Sequence, residues 1–80
     1  MNVILRTADQ LHKAELGLDQ SYTSADIIQA GVDNWKLPTD TDYSLMNVTK
    51  NAMIPPSVNI LTAGVQDGDT LEIQPILVAG

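Results

Sequence analysis

Eighty residues, no cysteine and a formal net charge of −6 already limit what the protein can be. A chain of this length forms one domain at most, and without cysteine it has no disulfides, thiolate metal sites or cysteine nucleophile. Its fixed cations are Arg6, Lys13, Lys36 and Lys50, which lack the clustering needed to displace counterions from nucleic acid or to hold anionic lipid. An acidic balance serves solubility and is compatible with basic protein partners. No stretch approaches the roughly 20 apolar residues that span a bilayer. No basic segment followed by an apolar run and a cleavage site opens the chain, so the expectation is a cytoplasmic protein with no membrane insertion.

In chain order, Met1–Thr7 carries the consecutive apolar residues Val3, Ile4 and Leu5 and predicts a strand. Ala8-Asp9-Gln10 is a turn. Leu11–Leu18 alternates, with Leu11, Lys13, Glu15 and Gly17 on one side and His12, Ala14, Leu16 and Leu18 on the other, which predicts a half-exposed second strand. Thr23 or Ser24 can cap a helix, and Asp26 sits near its positive end. Ile28, Val32 and Trp35, with Ile27 beside them, predict one apolar stripe about three turns long. Gly31 weakens that helix by roughly 1 kcal/mol relative to alanine, a cost explained if a strand packs close to it. Pro38 ends the segment and pushes Leu37 toward extended geometry.

Beyond the polar loop of residues 39–42, Tyr43–Thr49 alternates again and predicts a strand, with Tyr43, Leu45, Asn47 and Thr49 on one face. Lys50-Asn51 is a turn, and Ala52-Met53-Ile54 a very short strand stopped by Pro55-Pro56, which lacks ladder donors. Ser57–Leu61 reads as a 3₁₀ turn or short helix. After the small-residue corner Thr62-Ala63-Gly64 and the Asp67-Gly68-Asp69 turn, Thr70–Gln74 is a strand with Leu71 and Ile73 facing the core. Placing that strand beside the first, at the sheet centre, buries both apolar sets. The expectation is a two-layer α+β domain over residues 1–74, with a flexible tail over residues 75–80.

This order is that of a β-grasp: a mixed four- to five-stranded sheet packed on one α-helix. The chain resembles ubiquitin and ubiquitin-like proteins along nearly its whole length. MNVILRT is similar to ubiquitin's first strand, and TLEIQPILVAG has the spacing of its last strand and tail. GVQDGDTLEI looks more like the bacterial YukD/EsaB family that accompanies type VII secretion systems. The resemblance implies a protein modifier whose terminal glycine is adenylated by an E1-like activating enzyme, passed as a thioester to an E2-like conjugating enzyme, and joined by an isopeptide bond to target proteins. A deconjugating protease would reverse the bond. By the same resemblance Gly80, preceded by Ala79, is the reacting carboxylate, and its lack of a side chain suits a narrow site. Family tails usually end Gly-Gly, and ubiquitin's carries arginines. Here the end is Ala-Gly, and Ile76, Leu77 and Val78 are apolar, so an activating enzyme would need an apolar groove. Pro75 removes a donor where the tail should leave the sheet. The partner patch implied by position centres on Met46 and Gln74, with Tyr43 nearby, and Gln74 makes it more polar than ubiquitin's. The alternative is a YukD/EsaB-like module that binds without conjugation. A sulfur carrier is disfavoured, because that group also ends Gly-Gly.

Other residues carry plainer readings. His12 has no second histidine and no cysteine to build a metal or catalytic set. Asp67, Asp69 and Glu72 lack the spaced oxygen ligands of a calcium loop. Lys50 falls near a chain-linking lysine of ubiquitin and reads as a solvated turn lysine. Trp35 closes the helix stripe. Since no nucleophile, base and orienting group assemble, the expectation is a protein that is not an enzyme and uses no cofactor or metal.

Overall fold

In a computed structural model that describes residues 1–76, β1 (Asn2–Thr7) turns Val3, Leu5 and Thr7 inward and Asn2, Ile4 and Arg6 outward. β2 (Lys13–Gly17) pairs with it antiparallel. This strand is shorter than the alternation predicts, because Leu11 and His12 belong to the turn. The Asp9 carboxylate accepts from the Leu11 N–H at 3.0 Å, and the Thr7 hydroxyl accepts from the His12 N–H at 3.3 Å. Gln10 takes φ 60°. Side chains thus capture the donors that a longer ladder would use, and Leu11 is left 79% exposed.

The helix α1 (Ser24–Trp35) starts at Thr23, whose hydroxyl accepts from the Asp26 N–H at 3.2 Å while its own N–H donates to the Asp26 carboxylate at 3.0 Å. This reciprocal box satisfies two donors at the helix start. Ser24 instead turns inward and donates to the Pro55 carbonyl at 3.1 Å. The buried line of the helix is Ser24, Ile27 and Gly31. Ile28, Val32 and Trp35 flank it half-buried, one step round from the predicted stripe. Gly31 is the reason: a Cβ built there would lie 2.5 Å from Ile73 Cδ1. The closest approach of helix and sheet passes through the residue without a side chain.

β3 (Tyr43–Asn47) and β4 (Ala52–Ile54) form an antiparallel hairpin. β3 stops two residues before Thr49, where the Asn47 side chain accepts from the Lys50 N–H at 3.2 Å and begins the turn. Of the two alternatives for Ser57–Leu61 the structure shows turns and no helix: the Val58 N–H donates to the Pro55 carbonyl at 3.3 Å, Asn59 bridges to Thr23, and further hydrogen-bonded turns run to Gly64. They deliver Ile60, fully buried, into the core and hold it to Tyr22 by a backbone bond of 2.9 Å.

The last strand, β5 (Thr70–Pro75), lies at the centre of the order β2-β1-β5-β3-β4, parallel to β1 and antiparallel to β3. One face of this mixed sheet packs on α1 around Val3, Leu5, Ile27, Leu45, Ile54, Ile60, Val65, Leu71 and Ile73. Sheet and helix therefore form the two-layer α+β arrangement expected from the sequence, with five strands. Among the described residues no helix is long and apolar enough to cross a membrane.

Candidate functional site

β5 ends at Pro75, one residue later than predicted. Pro75 pairs with Tyr43, and the following Ile76 N–H donates to the Asp42 carbonyl at 2.8 Å. Bonds flanking the Tyr43–Pro75 pair make it the non-hydrogen-bonded type, which asks no donor of Pro75 on the β3 side. The proline therefore does not end this ladder. On the other side the parallel ladder closes with the Ala8 N–H donating to the Ile73 carbonyl at 3.0 Å, and Pro75 has no N–H to continue it. Ile76 is 45% exposed. The other predicted tail residues, Leu77, Val78, Ala79 and Gly80, lie outside the described residues.

Around this exit sits a largely apolar pocket lined by Leu37, Pro38, Tyr43, Ile73 and Pro75 together with Thr7 and Asp9. Tyr43 anchors it, since its hydroxyl donates to the Pro38 carbonyl at 2.8 Å. Tyr43 and Pro75 belong to the inward-facing register of their strands. Met46 and Gln74 belong to the outward one, so among the described residues these four of the seven predicted partner-binding positions do not share one face.

Met46 and Gln74 do meet on the outer face: Gln74 Nε2 lies 3.5 Å from Met46 Sδ and donates to Glu72 Oε1 at 2.9 Å. The strand registers align Met53, Met46, Glu72, Arg6 and Lys13 in one row across all five strands. Strands lie about 4.8 Å apart, so the row runs roughly 19 Å from a thioether end to a cationic end. Met53 is 53% exposed. At the centre Arg6 Nε donates to Glu72 Oε2 at 2.8 Å. The Gln74 amide and then the Arg6 guanidinium hold the Glu72 carboxyl below its usual range, against burial that pushes it up. Sequence reasoning missed Met53, Arg6 and Glu72. Each strand's alternation points these residues outward, but only the register brings them together.

The remaining candidates separate. His12 stacks on Trp35 with ring centroids 5.3 Å apart and planes 18° from parallel, so the tryptophan both closes the helix face and covers the β1–β2 turn. Among the described residues no group of three His, Asp or Glu side chains could hold a metal. Asp67 accepts from the Asn2 N–H at 2.7 Å, while Asp69 points into the domain, so the two carboxylates of the turn serve different partners. Lys50 is not simply a solvated turn lysine, because its ammonium pairs with Asp69. Asp69 Oδ2 also accepts from Asn47 Nδ2 at 2.9 Å and from the Gln66 N–H at 3.0 Å. Burial pushes the Asp69 carboxyl up, but the donors Lys50, Asn47 and Gln66 together outweigh it and bring it below its usual value.

Neither the protein-family profiles nor the curated proteins compared with the chain match it. Among solved structures it is similar to a ubiquitin from Caldiarchaeum subterraneum, with 23% sequence identity and a TM-score of 0.78 over 100% of this chain and 98% of that one. The fold is thus a ubiquitin-like β-grasp.

Proposed function

We propose that the chain is a ubiquitin-like protein modifier. In this reading it is the substrate of an activating and a conjugating enzyme and performs no catalysis itself. The Gly80 carboxylate attacks the α-phosphorus of ATP on the activating enzyme and releases pyrophosphate. An enzyme thiolate then displaces AMP to give a thioester. A target amine finally displaces the thiolate and forms an isopeptide bond, which a deconjugating protease hydrolyses. The observation that supports this best is at the sheet's exit: after the Ile76–Asp42 bond only Leu77, Val78 and Ala79 separate the β-grasp from Gly80. Two small residues at that end suit a narrow active site, and Ile76, Leu77 and Val78 call for an apolar channel leading to it. Incubation with the cognate activating enzyme and ATP should give an adenylate and then a thioester that deletion of Ala79-Gly80 abolishes. If no adduct forms, and that deletion changes nothing in cells, the reading is lost.

The outer row favours a second reading, a non-covalent module of the YukD/EsaB type that docks on a secretion machine. Met46 and the exposed Met53 offer a partner soft, adaptable apolar contact. In that case co-purification of the partner survives loss of Gly80 and fails for Met46→Glu. The modifier reading requires instead that covalent adducts disappear with Gly80.

A further inference from the structure

The pocket at the sheet exit has apolar walls, acceptors to offer and donors already spent. It encloses about 450 Å³, against about 270 Å³ for the groove that Leu16, Ala30 and Trp35 line between β2 and α1. Its walls are stiff, since Pro38 and Pro75 are rings and the Tyr43 hydroxyl is tied to the Pro38 carbonyl. A ligand entering preformed walls loses little affinity to ordering them. The Thr7 hydroxyl donates to Asp9 Oδ1, the Thr7 N–H to the His12 carbonyl, the Ala8 N–H to the Ile73 carbonyl and the Leu37 N–H to the Val32 carbonyl. Two acceptors stand open. Asp9 Oδ1 takes the Thr7 hydroxyl and the Leu11 N–H, while Oδ2 has no partner among the described residues. Those two bonds hold the exposed carboxyl below its usual range, so it is ionised at neutral pH. The second is the Pro75 carbonyl, on the edge of β5 where the Ile73 carbonyl meets Ala8. In a longer parallel ladder the Gln10 N–H would reach it, but that N–H donates to the Thr7 carbonyl at 2.9 Å. Asp40 and Asp42 flank the wall residue Thr41, with Lys36, beside Leu37, as the opposing cation.

We infer that this pocket receives an arginine side chain of a partner protein, its stem against Leu37, Ile73 and the two prolines and its guanidinium on Asp9 and the Pro75 carbonyl. Arginine brings what the pocket lacks: about five N–H donors in a fixed fork and a permanent positive charge, carried on an apolar stem. Lysine brings a compact, strongly hydrated charge that gives up more water on entering apolar walls. An anionic group meets the Asp9 carboxylate, and a purely apolar group covers the open acceptors without pairing them. The pocket lies on the inward register of β3 and β5, so an arginine seated there leaves the outer Met46–Met53 face uncovered. The inference does not depend on conjugation at Gly80.

The isotope-labelled full chain is titrated in the NMR spectrometer with acetyl-Gly-Arg-Gly-amide, then with the same peptide carrying citrulline, the uncharged isostere, or glutamate. The arginine peptide should shift the amide signals of Ala8, Thr41 and Tyr43 saturably and leave those of Leu16 and Ala30 in place. The citrulline peptide should bind more weakly by about threefold or more, the worth of an exposed charge pair, and the glutamate peptide should not bind. Asp9→Asn keeps an oxygen for the Leu11 N–H and should weaken the arginine peptide by the same factor, whereas Asp33→Asn, on the exposed face of α1, should bind as wild type does. No saturable shift, shifts spread over the acidic residues of α1 and β2, or equal binding of the citrulline peptide each overturn the inference. So does unchanged binding by Asp9→Asn; should that variant lose its fold, the citrulline comparison on the wild-type chain still decides. The chain's own end is the rival occupant. Leu77→Ser with Val78→Ser should leave the arginine peptide's affinity unchanged, and tighter binding by that double variant would give the pocket to the tail and overturn the assignment.

Discussion

Asp69 shows how one carboxylate joins distant parts of the chain. It gathers Lys50 and Asn47 from the β3–β4 hairpin and Gln66 from its own turn. Replacing it with alanine leaves the buried Asn47 amide without its acceptor, and each stranded buried group costs about 1–3 kcal/mol. Asp69→Ala should therefore lower stability in urea unfolding by roughly 2–4 kcal/mol. Lys50→Ala, which removes only the half-exposed partner, should cost less than about half of that. The pH dependence has a definite sign. Asp69 and Glu72 both have folded-state values below their ordinary ones. The stability they contribute is full above the unfolded-state values, near pH 4, and is lost as pH falls through the lower folded values. Tm should hold steady down to about pH 5 and then drop, and Glu72→Gln should make that drop shallower. An unchanged acid slope in Glu72→Gln would show that the Arg6–Glu72–Gln74 network is not coupled to folding. None of these pairings was legible in the sequence. A turn with two aspartates reads as a turn, and nothing local indicates that one carboxylate points inward.

Among the elements, the strands were the most legible and their ends the least. Alternation sorted the residues of β2 and β3 into the two faces the structure shows, whereas the consecutive apolar residues of β1 gave no facing. The errors fell where side chains compete with the ladder, at Asp9 before β2 and at Asn47 after β3. The helix was misread differently. Its apolar residues define a stripe through Ile28, Val32 and Trp35, but Gly31 marks the contact line, and a hydrophobicity pattern passes over glycine. The resulting close approach can be tested by a double-mutant cycle. Gly31→Ala gains about 1 kcal/mol of helix propensity but drives a Cβ against Ile73 Cδ1, in a side chain 1% exposed. Overpacking of that kind costs roughly 1–3 kcal/mol, so the single variant should be destabilised by about 1 kcal/mol net. Ile73→Val removes the clashing methyl at a cost of roughly 1 kcal/mol. Combined, the two should be less destabilising than their sum by about 1 kcal/mol. Simple additivity would mean that the helix shifts away from the sheet to accept the methyl.

At the scale of the whole molecule, the topology that makes β5 central also sets where the fold ends. The parallel β1–β5 and antiparallel β3–β5 pairings clamp the last strand from both sides. A sequence reading can infer this, because Val3-Ile4-Leu5 and Leu71-Ile73 can both be buried only near the centre. It cannot place the exit, because a proline in a ladder reads as a stop, whereas here its missing donor falls on the side where β1 has already ended. The sheet therefore extends beyond Gln74 to the Ile76–Asp42 bond, with Pro75 against Tyr43. Two truncated chains separate the alternatives. One ending at Ile76 retains that bond, and one ending at Gln74 loses both the bond and the Pro75 contact. The shorter chain should be less stable by about 1–2 kcal/mol, the worth of one backbone hydrogen bond plus modest apolar cover. For a domain of this size that is a Tm difference of roughly 4–16 °C. Equal stability would place the end of the cooperative unit at Gln74 and return Pro75 and Ile76 to the tail. On the modifier reading neither chain forms an adenylate, since both lack Gly80. The stability difference thus dissects the fold independently of the chemistry.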